Sequence, residues 1–146
     1  MIVVSDTSPL TALLTVGQAS LLSTLFGDVV APAAVREELL RSHSTLPGWL
    51  TIRDVKDALE VERLLQVLDQ GEAEAIQLAK ELSADCLLMD ERKGRQVAAQ
   101  ERIPVIGLLC VVLLARRRQL IPSARALLDR LEQEAGVYLS QALSVS

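Results

Sequence analysis

Carboxylates follow two short apolar runs of this sequence, at the points where a strand is expected to end. Residues 2–4 (Ile-Val-Val) lead to Asp6, and residues 87–89 (Leu-Leu-Met) lead to Asp90. Ligands of open α/β sheets gather at the carboxyl ends of strands. If the two strands are neighbours, these carboxylates converge, and their repulsion calls for a cation between them. Carboxylate and water oxygens suit Mg²⁺ or Mn²⁺, so the pattern predicts a divalent metal site.

A third carboxylate falls on the buried side of a predicted helix. At 100° per residue, Glu38 lies between Ala34 and Val35 on the apolar side. Its neighbour Glu37 points with Arg41, four residues later, and forms an ordinary surface pair. Glu38 is therefore the candidate ligand from this helix.

The helix predicted over 72–82 offers a fourth. Glu72 lies within the apolar stripe that includes Ile76 and Ala79, whereas Glu74 falls towards the polar side. A carboxylate on an apolar face needs a partner, which favours Glu72 as a ligand. Its position at the helix start also suits a simple interaction with the helix dipole, and for Glu74 that second interpretation is preferred. The candidate catalytic and metal-binding set comes from separate segments: Asp6, Glu38, Glu72 and Asp90.

Each strand-end acid also has a plain structural alternative. Asp6 can simply turn the chain. Asp90 and Glu91 can be acidic residues at a helix N-terminus, where the helix dipole favours negative charge. Ser8 followed by Pro9 predicts that the first helix is capped by Ser8.

The elements around these residues alternate between strand and helix. The strands are short and continuously apolar, which is typical of a parallel sheet covered on both faces. We therefore expect an α/β protein: a three-layer α/β/α sandwich with a central, mainly parallel sheet. Length predicts one domain over residues 1–146, with the tail from about residue 136 left unassigned. Residues 58–68 are expected to form one amphipathic helix.

Composition narrows the function classes. Half of the 146 residues are apolar and the net charge is −4, so neither a disordered chain nor a protein that holds nucleic acid mainly through its own basic charge is expected. RNA binding would need a bound metal or a local cluster of Arg and Lys. The aromatic residues are only Phe26, Trp49 and Tyr138, which argues against a base-stacking platform.

The sequence also indicates a compartment. The first residues lack the basic region of a signal peptide and place an acid at Asp6. The apolar run 105–115 is too short to span a bilayer, which needs about 20 residues. We expect a cytoplasmic protein that does not associate with membranes. No zinc spacing and no phosphate-binding glycine loop occurs in the sequence.

Several motifs together resemble the PIN-domain family over about residues 1–120. In chain order they are Val-Ser-Asp6-Thr-Ser8, Pro-Ala-Ala-Val-Arg-Glu-Glu38-Leu, Gly71-Glu72-Ala-Glu74-Ala-Ile, Leu-Leu-Met-Asp90-Glu91-Arg-Lys-Gly-Arg and Ile103-Pro-Val-Ile-Gly-Leu-Leu. Their order and spacing carry the resemblance. The chain is most similar to small prokaryotic stand-alone PIN proteins, a branch related to the toxin ribonucleases of type II (VapBC-like) toxin–antitoxin pairs.

The resemblance implies a metal-dependent endoribonuclease, in which three or four acids hold one or two Mg²⁺ or Mn²⁺ ions. Such a metal lowers the pKa of a bound water and neutralises charge on the attacked phosphate. By position, Asp6 and Glu38 are direct ligands and Glu72 is the third. The fourth is either Asp90 or Glu91, because shifting the strand end by one residue exchanges them. The third position is Glu where many relatives carry Asp, which bears on activity rather than on fold.

The resemblance implies supporting residues and partners as well. Ser8 matches the small hydroxyl residue that supports the first acid, and Glu74 is taken as a second supporting residue. RNA contact falls to Arg92, Lys93 and Arg95, which follow the acidic strand end. The expected partners are an RNA substrate, a cognate antitoxin protein and a second copy of the chain in a homodimer.

Three other functions compete with the nuclease. A PIN-like fold can lose catalysis and act by holding RNA or a protein partner. A receiver-type phosphoryl-transfer domain also uses acids with Mg²⁺, but it needs paired acids near residue 10 and a lysine near the fifth strand, and only Lys93 is loosely available. A purely structural partner subunit would account for the high apolar content through a buried oligomer interface.

Overall fold

Five short parallel strands form one central sheet. The structure is a computed structural model that describes residues 1–139. The strands are β1 Ile2–Ser5, β2 Asp28–Ala31, β3 Leu50–Ile52, β4 Cys86–Leu88 and β5 Val105–Ile106. Their order across the sheet is β3-β2-β1-β4-β5, and every neighbouring pair is parallel. Because β1 is central, the residue after it lies in the middle of the carboxyl edge.

Helices cover both faces of this sheet. They are α1 Thr7–Thr15, α2 Ser20–Phe26, α3 Ala33–Ser42, α4 Ala58–Leu64, α5 Gln70–Glu81, α6 Arg92–Gln100, α7 Leu108–Arg117 and α8 Ala124–Ala135. One core cluster joins one face of the sheet to α1, α2, α3, α7 and α8. A second joins the other face to α4, α5 and α6. The three-layer α/β/α sandwich expected from the sequence is confirmed.

Consecutive residues of the central strands enter opposite cores. Val3 packs in the first cluster and Val4 in the second, and on β4 Leu88 and Leu87 divide in the same way. All four side chains are fully buried. This arrangement explains why the strands are continuously apolar rather than alternating, since both faces of the sheet are covered.

The first helix begins earlier than the sequence predicted. Asp6, not Ser8, is the N-cap of α1, and its side chain makes no capping hydrogen bond. The Asp6 N–H donates to the Leu88 carbonyl at 2.9 Å, so this residue still belongs to the strand ladder when the helix starts. Pro9 falls in the first turn, where a helix needs no N–H donor.

The helix predicted over 58–68 ends at Leu64. A turn follows, in which the Leu68 N–H donates to the Leu64 carbonyl at 3.0 Å. The chain then starts a new helix at Gln70, because the Asp69 side chain accepts a hydrogen bond from the first turn of α5. The predicted break between the two helices is therefore only a few residues long.

The ends of the fold bear on two other expectations. The last described helix, α8, ends at Ala135, and residues 140–146 lie outside the described part of the chain, so the single domain over 1–146 stays a prediction. Within residues 1–139 no single helix has the length and apolar character to cross a membrane. By length and composition alone, α1 and α2 pass that test as a pair, which is bent by 119°.

Replacing Leu88 with Ala is expected to lower the free energy of unfolding by about 2–5 kcal/mol, the usual cost of emptying a packed core position. Leu88 is 0% exposed and lies where the strand ladder meets the residue after β1. The matched control is Leu59→Ala, because Leu59 is 77% exposed; it should change stability by less than about 0.5 kcal/mol. Urea unfolding followed by circular dichroism compares the two variants, and equal midpoints would contradict the packing described.

Candidate active site

Asp6 occupies the centre of the carboxyl edge of the sheet. Its backbone is held on both sides: the N–H donates to Leu88, and the carbonyl accepts from Ser5 Oγ at 2.9 Å. Only 5% of the residue is exposed. A carboxylate in this position is removed from water and has no cation bound to it by a salt bridge within the described residues.

A cavity of about 440 Å³ opens beside Asp6, and we call it the acid pocket. Five carboxylate residues line it: Asp6, Glu38, Asp69, Glu72 and Glu91. Hydroxyl residues of α1 form another part of the wall: Thr7, Ser8, Thr11 and Thr15. The remaining wall is apolar and consists of Ala12, Ala135 and Val137. None of the described residues that line the pocket is Lys, Arg or His, so the acids face one another without an opposing positive charge.

Glu72 is fixed by the start of α5. Asp69 and Glu72 form a reciprocal capping box: Asp69 Oδ1 accepts from the Glu72 N–H at 2.8 Å, and Glu72 Oε1 accepts from the Asp69 N–H at 3.1 Å. Glu72 is 7% exposed. Burial raises the pKa of Glu72 to about 7, with further increases from the charges of Asp69, Asp6 and Glu91 and an opposing contribution from the Asp69 N–H.

Glu38 reaches the same helix end from α3. A Cβ atom placed on Gly71 would lie 2.6 Å from Glu38 Oε1, so the carboxylate rests against the bare backbone of the first turn of α5. A side chain at position 71 would displace it. The contact explains why glycine stands inside this helix, where it otherwise costs stability.

Glu91 is held by α6 in a similar way. Its Oε2 accepts from the Gly94 N–H at 2.9 Å. A Cβ atom on Gly94 would lie 3.3 Å from Glu72 Oε2 and 2.5 Å from Met89 Sδ. The absence of a side chain at Gly94 therefore lets Glu72 and Glu91 approach the first turn of α6 together.

The buried, acidic environment of Asp6 raises the pKa of its carboxyl group. Burial raises the pKa of Asp6 to about 6; the Thr7 N–H opposes the rise, and the negative charges of Asp69, Glu38 and Asp90 add to it. A bound cation would favour the ionised carboxylate and lower this pKa. The Asp6 carboxylate thus has a strong electrostatic preference for a positive neighbour.

Asp90 has a different position from its neighbour Glu91. Its Oδ1 accepts from the Leu108 N–H at 2.8 Å and so caps the start of α7. Burial raises the pKa of Asp90, and the Leu108 N–H and the Arg95 charge oppose the rise. The side chain lines a second cavity of about 390 Å³, which we call the Asp90 cavity. Of the two residues proposed for the fourth position, only Glu91 lines the acid pocket.

The three basic residues proposed for RNA contact differ in exposure. Arg92 and Lys93 are exposed in the first turn of α6. Arg95 is half-buried, and its Nη1 donates to the Met89 carbonyl at 3.1 Å beside Asp90. Arg95 therefore has a structural partner already, whereas the other two present their charges to solvent.

The two predicted supporting residues lie in different places. Ser8 lines the acid pocket and is exposed. Glu74 lies outside the pocket: one of its oxygens accepts from the Ala34 N–H at 3.1 Å, and the other accepts from the Gln70 side chain. The structure therefore shows Glu74 holding the start of α3 against α5.

Comparison with known proteins places the chain in a family. A family model described as a PIN domain matches residues 2–145. The chain belongs to the PIN-domain family. No curated protein and no solved structure matches it. PIN domains are generally nucleases and typically use divalent metals. The family membership replaces the receiver-type interpretation of the acids.

Asp69 is the pocket residue of this PIN domain that sequence reasoning missed. The sequence pattern predicts a break at 69–71 and a helix that starts at Glu72, so Asp69 falls outside the predicted helix. The signal was present, because Asp69 stands three residues before Glu72 as the capping box requires. A search for helix caps would have placed both carboxylates at one helix end.

The donor chemistry of the PIN domain fits a hard divalent ion, since the pocket offers carboxylate and hydroxyl oxygens. Within residues 1–139, however, no group of three or more His, Cys, Asp or Glu side chains is arranged to hold a metal ion. N–H groups of Asp69 and Gly94 hold oxygens of Glu72 and Glu91 at helix starts. A set of three ligands therefore requires some of these carboxylates to turn.

Without metal, the PIN domain is expected to lose stability as pH rises from about 4 to 7. In the folded protein the pKa of Asp6 is about 6, compared with an ordinary value of 3.8, and the pKa of Glu72 is about 7, compared with 4.5. The folded state therefore binds these two protons more tightly than the unfolded state does. Asp6→Asn should raise the free energy of unfolding at pH 7.5 by about 1–3 kcal/mol and flatten the pH dependence. Urea unfolding in EDTA at pH 5 and 7.5 measures both effects.

The matched control for this experiment is Glu37→Gln. Glu37 is an exposed acid on α3, next to a pocket residue. Its loss should leave stability unchanged within about 0.5 kcal/mol at both pH values. If the wild-type protein is equally stable at pH 5 and 7.5, the electrostatic description of the pocket is wrong.

Proposed function

We propose that this PIN domain is a Mg²⁺- or Mn²⁺-dependent endoribonuclease that hydrolyses phosphodiester bonds at the acid pocket. The observation that carries the proposal is the convergence of five carboxylate residues on one cavity around the buried Asp6, with no basic side chain among the described lining residues. Such a pocket repels a phosphate unless a cation is present. Family membership supports a nucleic acid substrate.

In this proposal Asp6, Glu38 and Glu72 hold the metal, and Glu91 fills the fourth position. The bound metal supplies a water of lowered pKa and positive charge at the attacked phosphate. The sheet edge holds Asp6 in place, and the helix starts hold the glutamates. Ser8 supports the wall next to Asp6. In this proposal Asp90 is not a metal ligand and instead holds the start of α7 in position.

A nucleic acid substrate is supported by charge, and the choice of RNA rests on the motif resemblance. Arg92 and Lys93 are exposed and directly follow Glu91, which lines the acid pocket. They are suited to phosphates on either side of the cleaved bond. Arg95, whose guanidinium already bonds the Met89 carbonyl, holds the region around Asp90 in this proposal.

The biological setting belongs to the same proposal. A toxin role in a type II toxin–antitoxin pair, a cognate antitoxin protein and a homodimer rest on the motif resemblance, and a cytoplasmic location rests on the N-terminal sequence and the short apolar run 105–115. The Gly71-Glu72-Ala-Glu74-Ala-Ile segment resembles the small stand-alone PIN proteins, a branch related to VapC-like ribonucleases.

A second function is favoured by one observation. The glutamates of the pocket are held by backbone N–H groups, and within the described residues no three side chains converge on a metal position. A pocket fixed in this state is a binding module for RNA or a protein partner rather than a nuclease. The two functions differ in whether metal addition produces cleavage.

Purified protein is expected to cleave a mixed structured RNA pool in Mn²⁺ or Mg²⁺ and to be inactive in EDTA. Asp6→Asn, Glu38→Gln and Glu72→Gln should each abolish cleavage, because each removes a metal ligand, while circular dichroism stays native. Glu37→Gln is the matched control on α3 and should keep full activity. Cleavage retained by all three pocket variants would contradict the site, and a folded protein without any cleavage would favour the binding module.

Glu91 and Asp90 can be separated by metal affinity. Glu91→Gln is expected to weaken Mn²⁺ binding by about tenfold or more, the minimum seen when even an outer residue of a metal site is lost. Asp90→Asn should leave Mn²⁺ affinity unchanged. Asp90→Ala should lower stability by about 1 kcal/mol, since the Leu108 N–H loses its capping acceptor. Calorimetric titration with Mn²⁺ decides, and the reverse ranking would place Asp90 among the ligands.

A further inference from the structure

The chain that follows α8 separates the acid pocket from the Asp90 cavity. The helix ends at Ala135, and its C-cap Gly136 has a left-handed φ of +70°. The Val137 N–H then donates to the Leu131 carbonyl at 3.1 Å. Val137 lines the acid pocket and Leu139 lines the Asp90 cavity. The backbone between these two residues is therefore anchored on both sides at the edge of the candidate site.

Tyr138 stands between the two anchors and takes little part in the fold. It is 74% exposed, whereas Val137 and Leu139 pack against the first core cluster. The other two aromatic residues of the chain serve that core: Phe26 is 8% exposed within it and Trp49 packs against it. Tyr138 is thus the only aromatic ring of the protein that presents most of its surface to solvent, and its neighbours line both cavities.

The position suits a nucleobase. Aromatic faces stack on the bases of single-stranded RNA without regard to sequence. Tyrosine offers such a face at a low cost in conformational entropy, because it has few rotatable bonds. The acid pocket itself has carboxylate, hydroxyl and small apolar walls, which leaves base contact to residues at its rim.

We propose that Tyr138 is a nucleobase-binding residue, which stacks on a base of single-stranded RNA next to the phosphate that enters the acid pocket. The inference rests on the proposed function for its substrate. It adds a contact that recognises the unpaired state of the RNA, since the bases of a duplex are covered by their neighbours. It also gives a role to a side chain that the fold leaves exposed.

The test measures equilibrium binding of a fluorescein-labelled single-stranded RNA of mixed sequence by anisotropy, in Ca²⁺, which binds carboxylate oxygens and so lets a phosphate enter the acid pocket. Gel electrophoresis of the same samples confirms that the RNA stays intact. Tyr138→Ala and Tyr138→Leu should weaken binding about 5- to 100-fold, the loss of one stacked base at about 1.4 kcal/mol per tenfold. Tyr138→Phe is the matched control, because it keeps the ring, and should bind like wild type. Tyr138→Leu separates stacking from simple apolar contact.

Two further measurements complete the test. A duplex of the same sequence should bind all four proteins equally, since its bases cannot reach the ring. In Mn²⁺, cleavage of the single strand should show a raised KM for the Ala and Leu variants with kcat little changed. Circular dichroism confirms that each variant is folded, as expected for a residue that is 74% exposed.

The outcomes distinguish this inference from the proposed function. Equal single-strand binding by all four proteins, or no RNA binding by wild type, would overturn the role of Tyr138. If binding is equal but Mn²⁺-dependent cleavage is lost in Asp6→Asn, the nuclease stands and only the stacking role fails. If binding depends on the ring but no protein cleaves RNA, the stacking role stands and the nuclease fails.

Discussion

The burial of the Asp6 carboxylate among other carboxylates is the constraint to which the rest of the site responds. A charged oxygen in this position loses hydration and meets like charges, and both effects raise the pKa of Asp6 to about 6. The fold offsets part of this cost with backbone N–H groups at the starts of α5 and α6, which donate hydrogen bonds to the neighbouring glutamates. The remaining like-charge repulsion favours a cation among these carboxylates.

Three glycines allow side chains of this region to lie close to the backbone. Gly71 leaves room for Glu38, and Gly94 leaves room for Met89 Sδ and Glu72. Gly107 leaves room for Arg95 Nη1 and Asp90 Oδ1, which would lie 2.6 Å and 2.8 Å from a Cβ atom there. None of these three has the left-handed backbone that usually explains a glycine. Each lets side chains that include a carboxylate approach the backbone closely at a helix start, so a substitution there would displace those side chains.

Sequence patterns predicted much of this structure and missed specific parts for physical reasons. Periodicity placed Glu38 and Glu72 on inward faces, because a face repeats over several turns and tolerates error at the ends. Periodicity could not show which of Asp90 and Glu91 enters the pocket. Consecutive residues at a strand end point in opposite directions, and a strand end has no repeating pattern that shows where the strand stops. Asp69 falls between the predicted helices 58–68 and 72–82, so the periodicity of neither helix places it in the pocket. The small number of aromatic residues does not indicate where in the fold each of them lies, so composition could not show that Tyr138 is exposed beside the site.

The strand order β3-β2-β1-β4-β5 has a consequence for how such a site arises. The chain winds outward from β1 in one direction and then returns to wind outward from β4 in the other. The helix after β1 leaves towards one face and the helix after β4 towards the opposite face, as their core clusters show. This topological switch point leaves a crevice between the two strands whatever side chains border it. The crevice between β1 and β4 thus follows from the strand order, and only its acidity depends on the side chains that border it.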